Sequence, residues 1–574
     1  MHARKIRFAI LALVALALPL GACGTISRAM LGGNEIVTAP PSPEAEAYGD
    51  YLSARAAASA HDLRDAARFY RGALKGAPGD ADLLGRAFLY TASAGEMQEA
   101  ARLARRVVAT SPDDRAARLA LAVDALSHGD YAGARDQVGK SAGGRFTELT
   151  LTLIDAWAAE GEGKTDAALA ELKKLPDEGG TQALADFHTA LMLDLAGRAA
   201  AADAAYRAAI EASGPSPREV EAYGRFLERA GRTAEASLLY TKLAQVGGVA
   251  PIVAAGHKRI AAHEAPKRLI GDPQAGAAEA LFGIAASLTD VSSADIAVFY
   301  LRLALYLEPD FDLARIVLAD RFEALEKYAD AVEMYDSVTK DSPYKTAAAI
   351  QAAVDESRLN ETAKALAALK AITAANPTNV SAWTALGDTY RSEEHFAEAA
   401  DAYDHAVKAL GKAEASDWPL FYARAVSYER AKNWPAAERD LQYALQLSPD
   451  QAQVLNYLGY SWVDRGENLP AALAMLEKAR ALSPYDGYIV DSVGWAYYRL
   501  GRYKDAAGTL AQAVALVPGD ATINDHYGDA LWRVGKKLDA RFQWNHALAF
   551  EPEPVEKAQI EEKLEYGLRN TKSP

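Results

Sequence analysis

The stretch "VGWAYYRLGRYKDAAGTLAQAVALVPGD" (Val493–Asp520) is answered one period later by "YGDALWRVGKKLDARFQWNHALAFEPEP" (Tyr527–Pro554). Gly494 falls over Gly528, Ala506 over Ala540, Leu510 over Trp544, Ala513 over Ala547 and Pro518 over Pro552, all at the same offset. Aromatic and basic residues crowded beside two glycines invite a reading as a binding or catalytic loop. Their recurrence makes the segment one copy of a structural module.

Upstream the same beat gives a ladder of alanines: Ala297, Ala331, Ala365, Ala399, Ala437, Ala472, Ala506 and Ala540. The N-terminal half continues it with Ala66, Ala100, Ala134, Ala168, Ala202 and Ala236, at one unvarying interval. Four residues after each rung stand Tyr70, Ala104, Val138, Leu172, Tyr206, Tyr240, Leu301, Tyr335, Leu369, Tyr403, Leu441, Leu476, Leu510 and Trp544, none of them charged. Spacings of about four and seven from a rung mark one face of a helix.

In its period of roughly 34 residues and in its pattern the chain resembles the tetratricopeptide repeat. That signature joins Trp, Leu-Gly and Tyr on a first helix to Ala and a large residue on a second. The best copy is "WTALGDTYRSEEHFAEAADAY", with Trp383, Leu386, Gly387, Tyr390, Ala399 and Tyr403. The resemblance implies an all-α solenoid, a superhelix of about 14 stacked helix pairs. Small residues allow the two helices of a pair to cross closely, and the bulky residue fills the space beside them. Gly129, Gly197, Gly231 and Gly501 fall at the turn between the helices, where a left-handed cap is wanted. Asp80, Asp114, Asp450 and Asp520 are placed to cap the next first helix. The expected organisation is an N-terminal array over 47–249, an irregular junction over 250–280, a middle array over 281–411 and a C-terminal array over 412–555, with a terminal helix and tail over 556–574. The junction is expected because the interval from Ala236 to Ala297 falls seven short of two full repeats.

The chain opens with "MHARKIR", the apolar run "FAILALVALALPL" and then "LGAC", which ends in the only cysteine, Cys23. A basic start, a short apolar segment and small residues describe a secretory signal. Thirteen residues rise only about 20 Å as a helix, short of a bilayer's core. Leu20-Gly21-Ala22-Cys23 resembles the lipobox of bacterial lipoproteins, which implies removal of residues 1–22 and acylation of Cys23. Gly24, in place of an Asp that favours inner-membrane retention, points to the outer membrane. The alternatives are an ordinary secretory signal or a short membrane anchor. Residues 23–46 then form the acylated cysteine and a Gly/Pro/Ser-rich tether, whose span is on the order of 25 Å.

Half of the 574 residues are apolar and the net charge is −15, so a large core is expected and a basic nucleic-acid footprint is absent. One cysteine excludes a disulfide within the chain and a Cys-rich metal site. "GEGKT" (Gly161–Thr165) lacks the first glycine of a phosphate loop, since Ala158 holds that place, and falls at the turn of a helix pair. His257 and His263 stand six apart, a poor helical spacing for metal ligands, and His395 and His405 read as solvent-facing. No serine sits in a G-x-S-x-G elbow. No catalytic residue, metal ligand or cofactor is assigned.

In the resembling family the first helices line a concave groove that contacts peptides. Projecting the helix period puts Asp388, Tyr422, Asn456, Tyr460, Asp491, Trp495, Asp525 and Asp529 along it, with Tyr498, Arg499, Trp532 and Arg533 at its edge. Aromatics with Arg are enriched in binding hot spots. The competing reading makes the aromatics padding and the charges a solvated face. The paired Lys and Asn of the family's carboxylate clamp are not evident. The function expected is a noncatalytic scaffold, lipid-anchored on the periplasmic face of the outer membrane, that binds envelope proteins or peptides. Alternatives are a component of a pilus, secretion, polysaccharide-export or outer-membrane assembly machine, a cytoplasmic regulator, or an enzyme whose site lies in the junction.

Overall fold

In the computed structural model, which describes residues 42–175, 180–214, 216–245 and 250–568, all regular structure is helical. Among the described residues thirty α-helices follow one another with two short 3-10 turns. Cys23, its signal segment and most of the tether lie outside the described residues, as does the tail from 569. The chain divides into two compact units, the first ending at Ala368 and the second starting at Leu369, within the helix Thr362–Ala375.

Consecutive helices pack as antiparallel pairs, and the ladder explains why. All fourteen ladder alanines have 0% exposure. The large residues four positions on are buried as well, except Val138, which is half-buried. A Cβ added to Gly494 would lie 2.6 Å from Leu510 Cγ, and one on Gly528 would lie 2.5 Å from Trp544 Cδ1. First and second helices thus touch through glycine on one side and the side chain after the ladder alanine on the other. Pairs are closed by left-handed residues at the turn: Gly129, Gly197, Gly231 and Gly501 have φ of 73–74°.

Aspartates start the next pair as expected at Asp80, Asp114 and Asp520, whose carboxylates accept from Leu83, Ala117 and Ile523 N–H. Asp450 does not. Gln451 holds the N-cap position there, and Asp450 instead pairs with Lys478 at 2.8 Å.

In the first unit, the first helices of successive pairs neighbour one another and form an inner face: Ala81–Ser93, Arg115–Ser127, Arg145–Gly161, Gly180–Leu195 and Pro217–Arg229. Where the sequence reading places an irregular junction, the helix Ala250–Ala262 extends this stack, and residues 264–268 then run without regular structure. The next pair, Pro273–Ser287 with Ala294–Leu307, does not continue outward. It lies across the inner face of the earlier pairs. Two helices stand between Ala236 and Ala297 where two full repeats would place three, which accounts for the shortened spacing.

The hairpin 273–307 is held by shape and by polar contacts. Gly276 abuts Trp157 so closely that a Cβ would lie 2.3 Å from the indole, and Phe299 meets Phe88 edge to face at 6.3 Å. Tyr306 donates to Asp124 at 3.2 Å, and Arg218 grips Glu279 through bonds of 2.6–3.1 Å. Arg302 donates to the Ser93 carbonyl at 3.2 Å, and burial pushes its guanidinium down to about 10. One continuous core runs from Ala54 to Ala352 and includes Phe282, Phe299, Leu301 and Leu303 of the hairpin.

Because Gly494 touches Leu510, Gly494→Ala should destabilise the second unit by about 1–3 kcal/mol. Gly508, on an exposed helix position where an added Cβ would meet nothing within 4 Å, is the contrast. Gly508→Ala should stabilise by about 0.5–1 kcal/mol through helix propensity. Urea unfolding midpoints of the two variants against wild type check both signs.

Candidate interaction surface

In the second unit the first helices Val380–Ser392, Trp418–Arg430, Ala452–Arg465, Gly487–Arg499 and Ala521–Arg533 form the equivalent inner face. Among the described residues of this unit no hairpin packs across it. The last helix, Pro554–Tyr566, packs against Lys537–Ala549 and closes the end of the stack.

The inner face centres on three stacked rings. Trp495 lies between His526, 4.0 Å away at 10°, and Tyr498, 4.7 Å away at 6°. The His526 Nδ1 lies 3.1 Å from both carboxylate oxygens of Asp491. Burial disfavours the imidazolium, but the charge and hydrogen bond of Asp491, with Asp525 and Asp529 behind it, outweigh this and raise its pKa. The stack therefore sets an imidazole ring, whose protonated form Asp491 favours, flat against an indole face. Arg533 donates to the Tyr498 hydroxyl at 3.3 Å, and Arg499 donates to the Asp464 carbonyl at 3.1 Å.

Of the residues expected along the groove, Tyr422, Tyr460, Trp495, Tyr498, Arg499, Trp532 and Arg533 are partly exposed. Asn456 is not available as surface: it is 2% exposed. Asp388 accepts from the Tyr403 hydroxyl at 2.7 Å and from Arg391 at 3.1 Å. Tyr422 meets Tyr457 edge to face at 5.8 Å.

Asp525 and Asp529, expected to face a partner, instead hold Lys563 of the last helix, at 2.6–2.9 Å. Asp529 also accepts from Trp544 Nε1 at 3.0 Å. Trp532 is covered by the chain at Gly567, where a Cβ would lie 2.1 Å from its ring. These three residues build the end of the stack rather than a free face. Asp525 is pushed up to about 6 by burial and by the neighbouring Asp529, against the pull of Lys563. Lys563 is raised: burial opposes its charge, but Asp529 and Asp525 outweigh it.

Pattern reading misses His526 and Lys563. Lys563 follows Asp529 by one full period, so extending the repeat past 555 sets it on the inner face. His526 pairs with Asp491 one step out of register, and no repeat alignment brings those two together. Among the described residues no group of three or more His, Cys, Asp or Glu is placed to hold a metal ion, and no helix is long and apolar enough to cross a membrane.

A family model described as "Tetratricopeptide repeat" matches residues 87–145, 350–414, 422–487 and 494–553, a little under half of the chain. These four segments are tetratricopeptide repeats, and the fold is a solenoid of such helix pairs. The chain is similar to a tetratricopeptide repeat protein from Parabacteroides merdae, at 15% identity over 44% of this chain and 97% of that one, with a TM-score of 0.35. It is also similar to the Cut9-Hcn1 hetero-tetramer of the APC/C, at 14% identity over 92% and 97% with a TM-score of 0.37. A third is YrrB, described as a TPR protein with an unusual peptide-binding site, at 21% identity over 33% and 92% with a TM-score of 0.27. No curated protein sequence matches. Repeats of this class make noncatalytic protein-interaction scaffolds.

The electrostatics of the closing end give a pH dependence. His526 and Asp525 both have folded pKa values above their ordinary ones. The folded state therefore holds protons more tightly, and stability is lost as pH rises through this range. Amide exchange across residues 521–566 should show opening free energy falling from pH 5 to pH 8 by on the order of 1–2 kcal/mol. Combining Asp525→Asn with His526→Gln should flatten that slope.

Proposed function

We propose that this protein is a noncatalytic scaffold that grips envelope proteins or peptides through the inner face of residues 422–533. In this reading a lipid on Cys23 anchors it at the periplasmic face of the outer membrane. The observation that carries the binding part is the partly exposed strip of Tyr460, Trp495, Tyr498, Arg499 and Arg533 on an inner face that no described hairpin of its own unit crosses. Aromatic and Arg side chains that are already ordered make effective anchors. In the first unit the matching face is covered by the chain's own hairpin, so partners are assigned to the second.

Anchoring rests on the sequence "LGAC" behind a basic and apolar start. Each buried methylene contributes about 0.8 kcal/mol, so two or three acyl chains retain a protein at a leaflet. The acidic body supplies no attraction to anionic lipid of its own.

Photo-crosslinkers placed singly at Tyr460, Tyr498 and Arg499 should yield envelope-protein adducts in cells, while crosslinkers at Leu238 or Val291, exposed in the first unit, should not. Trp495→Ala should weaken capture of those partners about 30-fold, a hot-spot loss. Arg499→Glu should weaken capture without lowering the unfolding temperature. Adducts confined to positions outside 422–533 refute the surface. In fractionated cells Cys23→Ser should leave the outer membrane, and retention there refutes the anchor.

A further inference from the structure

The charged groups on the second unit's inner face fall into two sets. Its carboxylates serve the fold. Asp491 holds His526, Asp525 and Asp529 hold Lys563, and Glu429 accepts from the Tyr457 hydroxyl at 3.1 Å. Among the described residues of this face from 422 to 533, Asp464 is the one carboxylate with neither an ion pair nor a hydrogen bond.

Three arginines are the reverse. Arg430, Arg499 and Arg533 are the last residues of the helices Trp418–Arg430, Gly487–Arg499 and Ala521–Arg533, and each leans on the pair before it. Arg430 lies over the Phe396 ring at 4.6 Å, Arg499 gives one N–H to the Asp464 carbonyl, and Arg533 gives one to the Tyr498 hydroxyl. Among the described residues none of the three has a carboxylate partner, whereas Arg391 is paired with Asp388 at 3.1 Å and Arg465 with Glu467 at 3.3 Å. All three are half-buried, and none of their unbonded nitrogens is sealed from solvent. A cation at a helix C-terminus complements the helix dipole, which accounts for an arginine there but not for its missing partner. In a chain of net charge −15, three unpaired guanidinium groups against one free carboxylate make this edge locally positive.

We propose that the inner face of residues 422–533 selects acidic segments of partner proteins, whose apolar side chains settle on Tyr460, Trp495 and Tyr498 while their Asp and Glu side chains pair with Arg430, Arg499 and Arg533. This rests on the reading of that face as the partner surface and adds what the partner must carry. The guanidinium fork matches a carboxylate, and contacts to the preceding pair already hold each one in place. A neutral segment gains the ring contacts alone. A basic segment brings like charge to three unpaired cations. With no clamp for a chain terminus evident, the carboxylates read are those of side chains.

The test is fluorescence anisotropy of the purified full chain with short, C-terminally amidated peptides in which Leu, Phe or Tyr alternate with Glu, Gln or Lys. The bound pool should be enriched in Glu, and its best member should bind about 30-fold more tightly than its Gln twin. Arg430→Gln, Arg499→Gln and Arg533→Gln should each weaken the Glu peptide about threefold and leave the Gln twin unchanged, with helical circular dichroism preserved. Joining Arg499→Glu to Arg533→Glu should turn the preference toward Lys, a reversal that a merely structural role would not produce. A pool enriched in Gln or Lys that Trp495→Ala releases overturns the acidic preference and leaves the surface standing. Binding indifferent to Trp495→Ala and to the arginine variants, or no binding at all, overturns both. A single-stranded oligonucleotide that displaces the Glu peptide at equal concentration overturns the choice of a protein partner.

Discussion

Everything in this molecule depends on how closely the two helices of a pair approach. The small residue on the first helix and the alanine of the second leave space for one large side chain, and its polar tip must then be satisfied. Tyr403 donates to Asp388, Tyr335 to Asp320 and Glu323, Tyr240 to Glu228, and the Trp544 indole to Asp529. Each acceptor stands 12 or 15 residues earlier, on the first helix of the same pair. Many carboxylates along the inner face are therefore internal partners of buried aromatics. A buried hydroxyl or indole N–H left without such a partner is costly, which ties the two positions together.

The same rule explains why the aromatic strip lies where it does. In the pairs that contain Tyr460 and Trp495 the buried residue is Leu476 or Leu510. Leucine has no polar tip to satisfy, so the inner-face position need not be acidic. Trp495 occupies the place that Asp529 holds one repeat later. An internal Leu releases that position for a ring; an internal Trp recruits it as an acceptor.

The solenoid was legible because the close approach repeats, and each of the fourteen ladder alanines is an independent sample of it. The fold-back of residues 273–307 escapes the pattern, because its alanine at 297 and leucine at 301 match those of any other pair. A signal is present all the same. "AAEALFGIAAS" and "IAVFYLRLALYL" are apolar on nearly every helical face, and a helix of that kind must be covered on all sides. Periodicity alone marks which face meets the partner helix; it does not count how many faces are buried. Lys563 escapes for a simpler reason, since a repeat ended at 555 stops short although the period carries one helix further. The His526–Asp491 pair, one residue out of register, is a tertiary contact that only the superposition of neighbouring repeats creates.

This arrangement also bears on what the second unit's face can do. An exposed Trp on a helix would normally lose rotamer freedom on binding, a cost that offsets much of its contact energy. Here Trp495 is already fixed, with Tyr498 on one side and His526 on the other, and His526 is itself fixed by Asp491. Tyr498 in turn accepts from Arg533 on the next repeat. The ordering entropy of the strip is thus met during folding, by contacts between adjacent repeats, before any partner arrives. Those contacts run from Gly487–Arg499 to Ala521–Arg533, so the strip's shape depends on the spacing of successive pairs. That spacing is set by the alanine ladder, and the inner face inherits its rigidity from the packing behind it.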